Sequence, residues 1–419
     1  VTAGRHRVVV TGMGVVTPLG CDVARFGAAL REGRSGVGAV TRFDASGFST
    51  RIAAEVPLGE CALEGLEIKT AFAVAAAKSA MTQGQSCGSP PGLDEPGRAL
   101  VSLGVGLELF SMDDLVASRR EGFTMPAGGL ERYTLMQTPA DLPLHLIAER
   151  YGCREAYEVH VSACAAGTDA IGAAFRAVRR GAARWALCGG TDSMINPLGF
   201  AGFCTLDAMS RRNDEPARAS RPFDRTRDGF VLGEGAGVLL IERLEDAQAR
   251  GATVLAEVLG YGNALDAHAI TEPHPQGAGA LSAMQRALRD ARLDASAIDA
   301  VNAHGTSTPK NDPAESAALR ALLGDRARSV PVVSTKSMIG HLISAAGAVE
   351  AVAAIDCMNA GVIHPTINLV EPDPACDLDY VPGVAREVAQ RVVLSCSYGF
   401  GGMNAALVLG HRSRAERRA

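Results

Sequence analysis

Short apolar runs rich in Val, Ile and Leu alternate along the chain with longer Ala-rich stretches whose apolar positions recur at a helical period, the pattern of an α/β fold. Val8-Val9-Val10-Thr11-Gly12-Met13-Gly14-Val15 predicts a buried strand running into a turn, and Asp22 to Leu30 a helix. Residues 69–82 predict a second helix, 98–106 a second strand, and the Gly- and Pro-rich stretch 86–97 an exposed loop. Residues 157–163 alternate like a strand and lead into a helix with Ile171, Phe175 and Val178 on one face and Arg179-Arg180-Gly181 at its end. A second series begins near Val254: strand 254–260, helix 279–291, a strand ending at His304, helix 313–323, strand 330–334 and an Ala-rich helix 344–361. Strands at 391–397 and 405–409 then flank Tyr398-Gly399-Phe400-Gly401-Gly402-Met403-Asn404. The repetition predicts two similar halves, 1–253 and 254–410, and a basic, frayed tail at 411–419.

With 419 residues and 47% hydrophobic content the chain can bury a large core, but aromatics are only 5% against 47 Gly. That core must therefore be built from Ala, Val, Leu and close backbone contacts. A net charge of −5 and pI ≈ 6.0 argue against a general nucleic-acid binder. Neither a signal peptide nor an uninterrupted membrane-spanning run is apparent, which predicts a cytoplasmic protein without a membrane partner. Ten cysteines contain no C-x-x-C pair and no Cys/His cluster of zinc-site spacing, so neither a metal nor a disulfide framework is expected.

Three reactive side chains stand in well-marked surroundings. Cys164 lies in Val161-Ser162-Ala163-Cys164-Ala165-Ala166-Gly167, His304 in Asn302-Ala303-His304-Gly305-Thr306-Ser307-Thr308, and His341 in Ser337-Met338-Ile339-Gly340-His341. Cys164 falls at a predicted strand-to-helix turn between small residues. Helix N-terminal N–H groups there are expected to lower the thiol pKa and to hold a developing oxyanion, which points to covalent acyl chemistry. Gly12-Met13-Gly14 after a strand invites a dinucleotide reading, but Thr17 and Pro18 break the pattern that pyrophosphate binding needs. Gly233-Glu234-Gly235-Ala236-Gly237 before the apolar Val238 to Ile241 is better explained by close backbone packing.

These motifs, together with Ser220-Arg221-Pro222-Phe223-Asp224, Arg227-Asp228-Gly229-Phe230, Lys336 and Gly399-Phe400-Gly401-Gly402, give the chain its family likeness. From Val8 to about Gly410 it resembles a β-ketoacyl-acyl carrier protein synthase of the type II elongating class, in the thiolase-like superfamily. The resemblance implies a five-layered αβαβα fold of two duplicated halves, used as a dimer. It implies transfer of an acyl group to Cys164, with the N–H groups of Cys164 and Phe400 as oxyanion hole and Phe400 as gate. His304 and His341 would donate from Nε2 to the enolate formed when malonyl-carrier loses carbon dioxide. Lys336 would hold charge around the site, with Glu350 its expected counter-charge and Glu315 another candidate. Thr306, Thr308 and Thr271 match positions that bind the pantetheine arm. No dissociable cofactor is implied, because phosphopantetheine arrives on the acyl carrier protein, the expected partner.

Departures from the fatty-acid pattern lie around this set. Pro309-Lys310-Asn311-Asp312 is more like the ketosynthases of discrete-subunit polyketide systems, which favours a specialised role and admits either a homodimer or a heterodimer with a chain-length-factor-like subunit. Asp207 stands where a carrier-docking Arg is common, leaving Arg211, Arg212 or Lys69 to meet an acidic carrier. The divergent segment 107–142 is expected to line the acyl tunnel and the dimer contact. Two alternatives share the fold: a non-catalytic chain-length factor, which lacks the nucleophile, and a coenzyme A-dependent thiolase, which needs a second cysteine in a setting Cys396 does not provide.

Overall fold

Val8–Val16 (β1) is buried along its whole length and lies at the middle of a ten-stranded sheet in a computed structural model, which describes residues 5–61, 67–88, 99–106, 140–154 and 156–416. In the first half, helices Val23–Arg31 (α1) and Ile68–Gly84 (α2) precede Ala99–Val105 (β2), and Leu142–Tyr151 (α3) precedes Ala156–His160 (β3). Helix Ala166–Arg179 (α4), strand Trp185–Asp192 (β4), helix Pro197–Thr205 (α5), strand Gly235–Arg243 (β5) and helix Leu244–Ala249 (α6) complete it. The second half runs Ala256–Leu265 (β6), Ala278–Ala291 (α7), Ala300–Asn302 (β7), Asn311–Leu323 (α8), Val332–Val333 (β8), Lys336–Ile339 (α9) and Ala346–Ala360 (α10). Val392–Gly399 (β9), Met403–His411 (β10) and Ser413–Glu416 (α11) close the chain.

The sheet order is β8-β7-β9-β10-β6-β1-β5-β4-β2-β3. Counted outward from the centre, β1-β5-β4-β2-β3 and β6-β10-β9-β7-β8 are the same sequence of connections. Each has two antiparallel pairings followed by two parallel ones. The halves meet where β1 pairs antiparallel with β6 over three residue pairs. Helices α4 and α10 fill the space between the half-sheets, α2 covers the outer face of one, and α7 that of the other, which gives five layers.

Small residues allow this spacing. A Cβ at Gly14 would lie 1.9 Å from the Ala76 carbonyl oxygen of α2, so the glycine pattern in β1 serves helix-on-strand contact and no phosphate. Gly237 likewise lies against α10, where an added Cβ would be 2.6 Å from Val349 N. The stretch Ile343–Ala360 is apolar and long enough for a membrane span, but it is buried between the sheets and carries Glu350 inside the core.

Three expectations are corrected. Residues 411–416 are not frayed: β10 runs to His411, Ala415 of α11 packs against Val9, Leu244 and Ala247, and the Arg414 carbonyl accepts from Arg7. Cys21 and Cys61 are paired as a disulfide, their Cα atoms 5.7 Å apart, although their spacing gave no sign of it. Lys69 is fully buried in α2 and is unavailable for carrier docking. Most of the expected tunnel segment 107–142, and of the loop 86–97, lies outside the described residues.

Candidate active site

Beyond β3 the chain makes one turn, Ala163–Ala165, before α4 begins, and Cys164 occupies that turn with 6% of its surface exposed. Ala163 is held at φ 50°, in the left-handed region that a residue with a Cβ enters only when its surroundings enforce it. Several contacts do so. Ser162 Oγ donates to Asp169 Oδ2 (2.5 Å), Tyr261 OH donates to Asp169 Oδ1 (2.6 Å), and Ser344 Oγ, from the other half, donates to the Ala163 carbonyl (3.4 Å). Gly399 passes so close that a Cβ there would sit 3.1 Å from Cys164 N.

Burial pushes the Cys164 thiol up to about 12, against the opposing pull of the Lys336 ammonium and of the N–H groups of Phe400 and Cys164 itself. The expectation of a thiol acidified by its helix terminus is thereby corrected. Desolvation outweighs the N–H groups, and the resting sulfur is a thiol flanked by two amide donors.

His304 follows β7, where both oxygens of Glu315 on α8 accept backbone N–H groups, from His304 and Gly305, at 2.8 Å each. Asp312 accepts from Thr306 N (3.1 Å) and Phe223 N (2.8 Å) and faces Arg227 (3.6 Å), which also binds Asp373 (2.6 Å). The Arg227 and Asp312 motifs thus fix the His304 loop. His341 follows α9 and is threaded by backbone bonds, its N–H to Val231 O (2.7 Å) and its C=O from Gly233 N (2.9 Å). Glu315 holds backbone, whereas Glu350 is the direct ion partner of Lys336.

The hydrogen bonds decide both tautomers. Lys336 Nζ donates to His304 Nδ1 at 3.2 Å, and Ile343 N–H donates to His341 Nδ1 at 3.2 Å. Both Nδ1 atoms are therefore acceptors. Burial first, then the Lys336 charge, holds both rings well below the usual histidine pKa, so each is neutral and carries its proton on Nε2. Cys164 Sγ and one nitrogen from each ring lie within 4.8 Å of one another, with the rings edge to face at 5.2 Å. By donor type this cluster could ligate a metal, a constellation not visible in the sequence spacing. The tautomers oppose it: ligation through Nε2 would require the proton on Nδ1, where an ammonium and an amide already donate.

The three groups form the base of a cavity of about 580 Å³. Thr306, Thr308 and the exposed Thr271 line its approach, with Thr306 Oγ1 and Thr308 Oγ1 2.9 Å apart, and Phe400 stands beside Cys164 at the start of Phe400–Gly402, where Gly401 has φ 82°. At the mouth Lys310 is paired with Glu272, and Arg211 with Asp207. Arg212 donates to the Thr226 carbonyl at 2.7 Å and is not among the cavity's lining residues.

Sequence reasoning missed Asp192 and Ser344. Asp192, fully buried at the end of β4, accepts from Ser344 N at 3.0 Å, while its other oxygen has no hydrogen-bond partner among the described residues. Burial pushes its carboxyl up to about 6. The signal was present as an internal repeat: Cys164-Ala165-Ala166-Gly167 and Ser344-Ala345-Ala346-Gly347 occupy equivalent turns, Ala163–Ala165 before α4 and Ile343–Ala345 before α10. Ile343, at φ 47°, matches Ala163.

Fold and pocket together define a duplicated α/β protein with one cysteine and two neutral histidines converging between its halves. The family models "Beta-ketoacyl synthase, N-terminal domain" and "Beta-ketoacyl synthase, C-terminal domain" match residues 5–247 and 255–370, and the chain belongs to this family, with its thiolase-like αβαβα fold. It is 42% identical over 417 residues to the 3-oxoacyl-[acyl-carrier-protein] synthase 2 of Synechocystis sp., covering 96% of this chain and 97% of the relative. It is 39% identical over 424 residues to a putative polyketide beta-ketoacyl synthase 1 of Streptomyces cyaneus, covering 96% and 98%. Among solved structures, it is similar to a type II polyketide ketosynthase in complex with its acyl-carrier protein and bound to the hexaketide (TM-score 0.86, 32% identity, 97% of this chain and 100% of that one). It is also similar to the ishigamide ketosynthase/chain length factor (TM-score 0.84, 36% identity, 97% and 100%).

Proposed function

We propose that this chain is an acyltransferase that condenses malonyl-acyl carrier protein with an acyl group held on Cys164, giving β-ketoacyl-acyl carrier protein. The observation that carries the proposal is the convergence of Sγ and one nitrogen of each imidazole within 4.8 Å, with both Nδ1 atoms already accepting hydrogen bonds, which leaves Nε2–H as the donor of each ring. In the first step Cys164 sulfur attacks the acyl thioester, and the carbonyl oxygen is held by the N–H groups of Cys164 and Phe400. The carrier thiolate leaves and takes the proton that the thiol gives up. Because the resting thiol is weakly acidic, deprotonation belongs to the bound complex, beside the Lys336 ammonium.

Malonyl-carrier then places its thioester carbonyl against Nε2–H of His304 and His341. Loss of carbon dioxide moves the C–C electron pair into an enolate, whose oxygen charge the two donors stabilise. The enolate carbon attacks the Cys164 thioester, the C–S bond breaks, and the cysteine thiolate takes up one proton from solvent, the proton that the decarboxylative condensation consumes overall. Neutral imidazoles suit this role because they donate hydrogen bonds without transferring the proton. Thr306, Thr308 and Thr271 line the approach that the pantetheine arm would take.

The edge of β3, unpaired among the described residues, with Tyr157 73% exposed and Val161 just beyond the strand 60% exposed, supports a second subunit there, either a copy or a chain-length-factor-like partner. Residues Asn311-Asp312 and the likeness to polyketide ketosynthases favour a specialised polyketide role in the cytoplasm. Against the thiolase alternative, Cys396 is fully buried on β9 and is not itself among the residues that line the pocket. Incubating the purified chain, with and without a partner subunit, with malonyl-carrier and a panel of acyl-carriers tests the proposal by intact mass. A carrier-bound β-ketoacyl product is expected, and acyl transfer to coenzyme A alone would overturn it.

A further inference from the structure

A second cavity, of about 760 Å³, lies at the end of α4 remote from Cys164, about 20 Å away along the 14-residue helix. Its lining gathers six arginines against two carboxylates, in a chain whose net charge is −5. Both carboxylates are already committed. Glu257 receives two bonds from Arg7 (2.8 and 2.7 Å), and Asp290 receives one from Arg179 (2.8 Å) and the Tyr261 N–H (3.1 Å). Arg5, Arg292, Arg391 and Arg414 have no carboxylate partner among the described residues. Between the charges the floor is apolar, made by Phe175, Val258, Leu259 and Leu293.

We propose that this groove binds a small diphosphate-bearing molecule. Unpaired guanidiniums from four separate stretches of chain turn toward one concavity, and a single carboxylate would leave most of that charge unanswered, whereas a diphosphate offers several oxygens in the geometry a guanidinium fork matches. The volume falls within the range of small-molecule sites, and the apolar floor suits the carbon body of a phosphate ester. The site is separate from the catalytic pocket and independent of the chemistry at Cys164.

Calorimetric titration of the full chain, at constant ionic strength, with inorganic pyrophosphate and with ADP tests this. Both probes should saturate at one per chain in the range of about 1 mM or tighter. ADP binding more tightly would assign the site to diphosphate esters, and equal affinities would assign it to free diphosphate. Arg292 and Arg391 are exposed, so the double variant Arg292→Ala/Arg391→Ala should fold, keep its condensing activity in the absence of the anion, and bind each probe at least about tenfold more weakly. No saturation with either probe, equal binding by wild type and variant, or loss in the variant of affinity for an acidic carrier protein but not for pyrophosphate would each overturn the proposal.

Discussion

Replacing Lys336 with Met separates what this residue does for the fold from what it does for the reaction. Lys336 and Glu350 are 1% and 0% exposed, the ammonium bonds both Glu350 and His304 Nδ1, and Glu350 Oε2 has no partner among the described residues. Removing the cation strands a buried carboxylate, which should cost about 3–5 kcal/mol. Glu350 is already pushed up to about 7 by burial, and without the ammonium it must rise further. A carboxyl with its folded pKa raised favours the fold at low pH and loses that contribution as pH rises. The deficit of Lys336→Met should therefore grow by up to about 1.4 kcal/mol per pH unit above neutrality. The double variant Lys336→Met/Glu350→Leu removes the stranded charge and should recover most of the stability. Catalysis should not recover, because His304 Nδ1 lacks its donor in both variants and the Nε2–H tautomer is no longer enforced. Decarboxylation of malonyl-carrier should fall on the order of 10²-fold in each. Urea unfolding at pH 6 and 8.5, with carbon dioxide release measured in parallel, provides the assay. Unchanged stability in the single variant, or recovered decarboxylation in the double variant, would refute the reasoning.

Further outcomes follow from other parts of the site. Asp192→Asn or Ser344→Ala should slow acylation of Cys164 while leaving affinity for malonyl-carrier unchanged, because Ser344, held at its N–H by Asp192, braces the Ala163 turn from the second half; a change in malonyl KM alone would count against this. Alkylation of Cys164 by iodoacetamide should keep rising above pH 9, since burial holds the thiol up, and a plateau near pH 7 would contradict the desolvated site. His341 has a folded pKa below its unfolded one, so its contribution to stability is complete above about 6.5 and is lost as pH falls; His341→Gln should flatten acid unfolding measured by circular dichroism. Gly14→Val forces a Cβ to within 1.9 Å of the Ala76 oxygen and should destabilise by more than about 3 kcal/mol in a urea titration.

Much of this architecture was legible in the chain because strand and helix periods, glycine positions and motif order are local properties. The Cys164, His304 and His341 motifs each announced themselves, and the strand-turn-helix at Cys164 followed from alternation meeting an Ala-rich period. What escaped was set by burial and by contacts between the halves. The acidity of Cys164 depends on how deeply the turn is buried, which helix position alone does not reveal. Lys69 looked like a surface lysine on an Ala-rich helix, yet it sits at the end of that helix packed onto β4, where the Thr191 hydroxyl donates to its carbonyl and the residue is fully buried. The partnership of Asp192 with Ser344 spans 152 residues, and only comparison of the two Ala-Ala-Gly turns could have suggested it. The folding of 411–416 depends on α6 and on Arg7, both remote in sequence.

The central claim is a division of labour, in which Cys164 carries the acyl group and the two neutral histidines stabilise the enolate. It is tested most directly by measuring, on one preparation each of wild type, His304→Ala and His341→Ala, both acyl transfer to Cys164 by intact mass and carbon dioxide release from malonyl-carrier. Acyl transfer is predicted to persist within about tenfold while decarboxylation falls by about 10²–10³ in each histidine variant. The reverse split, with acyl transfer abolished and decarboxylation retained, would contradict the account.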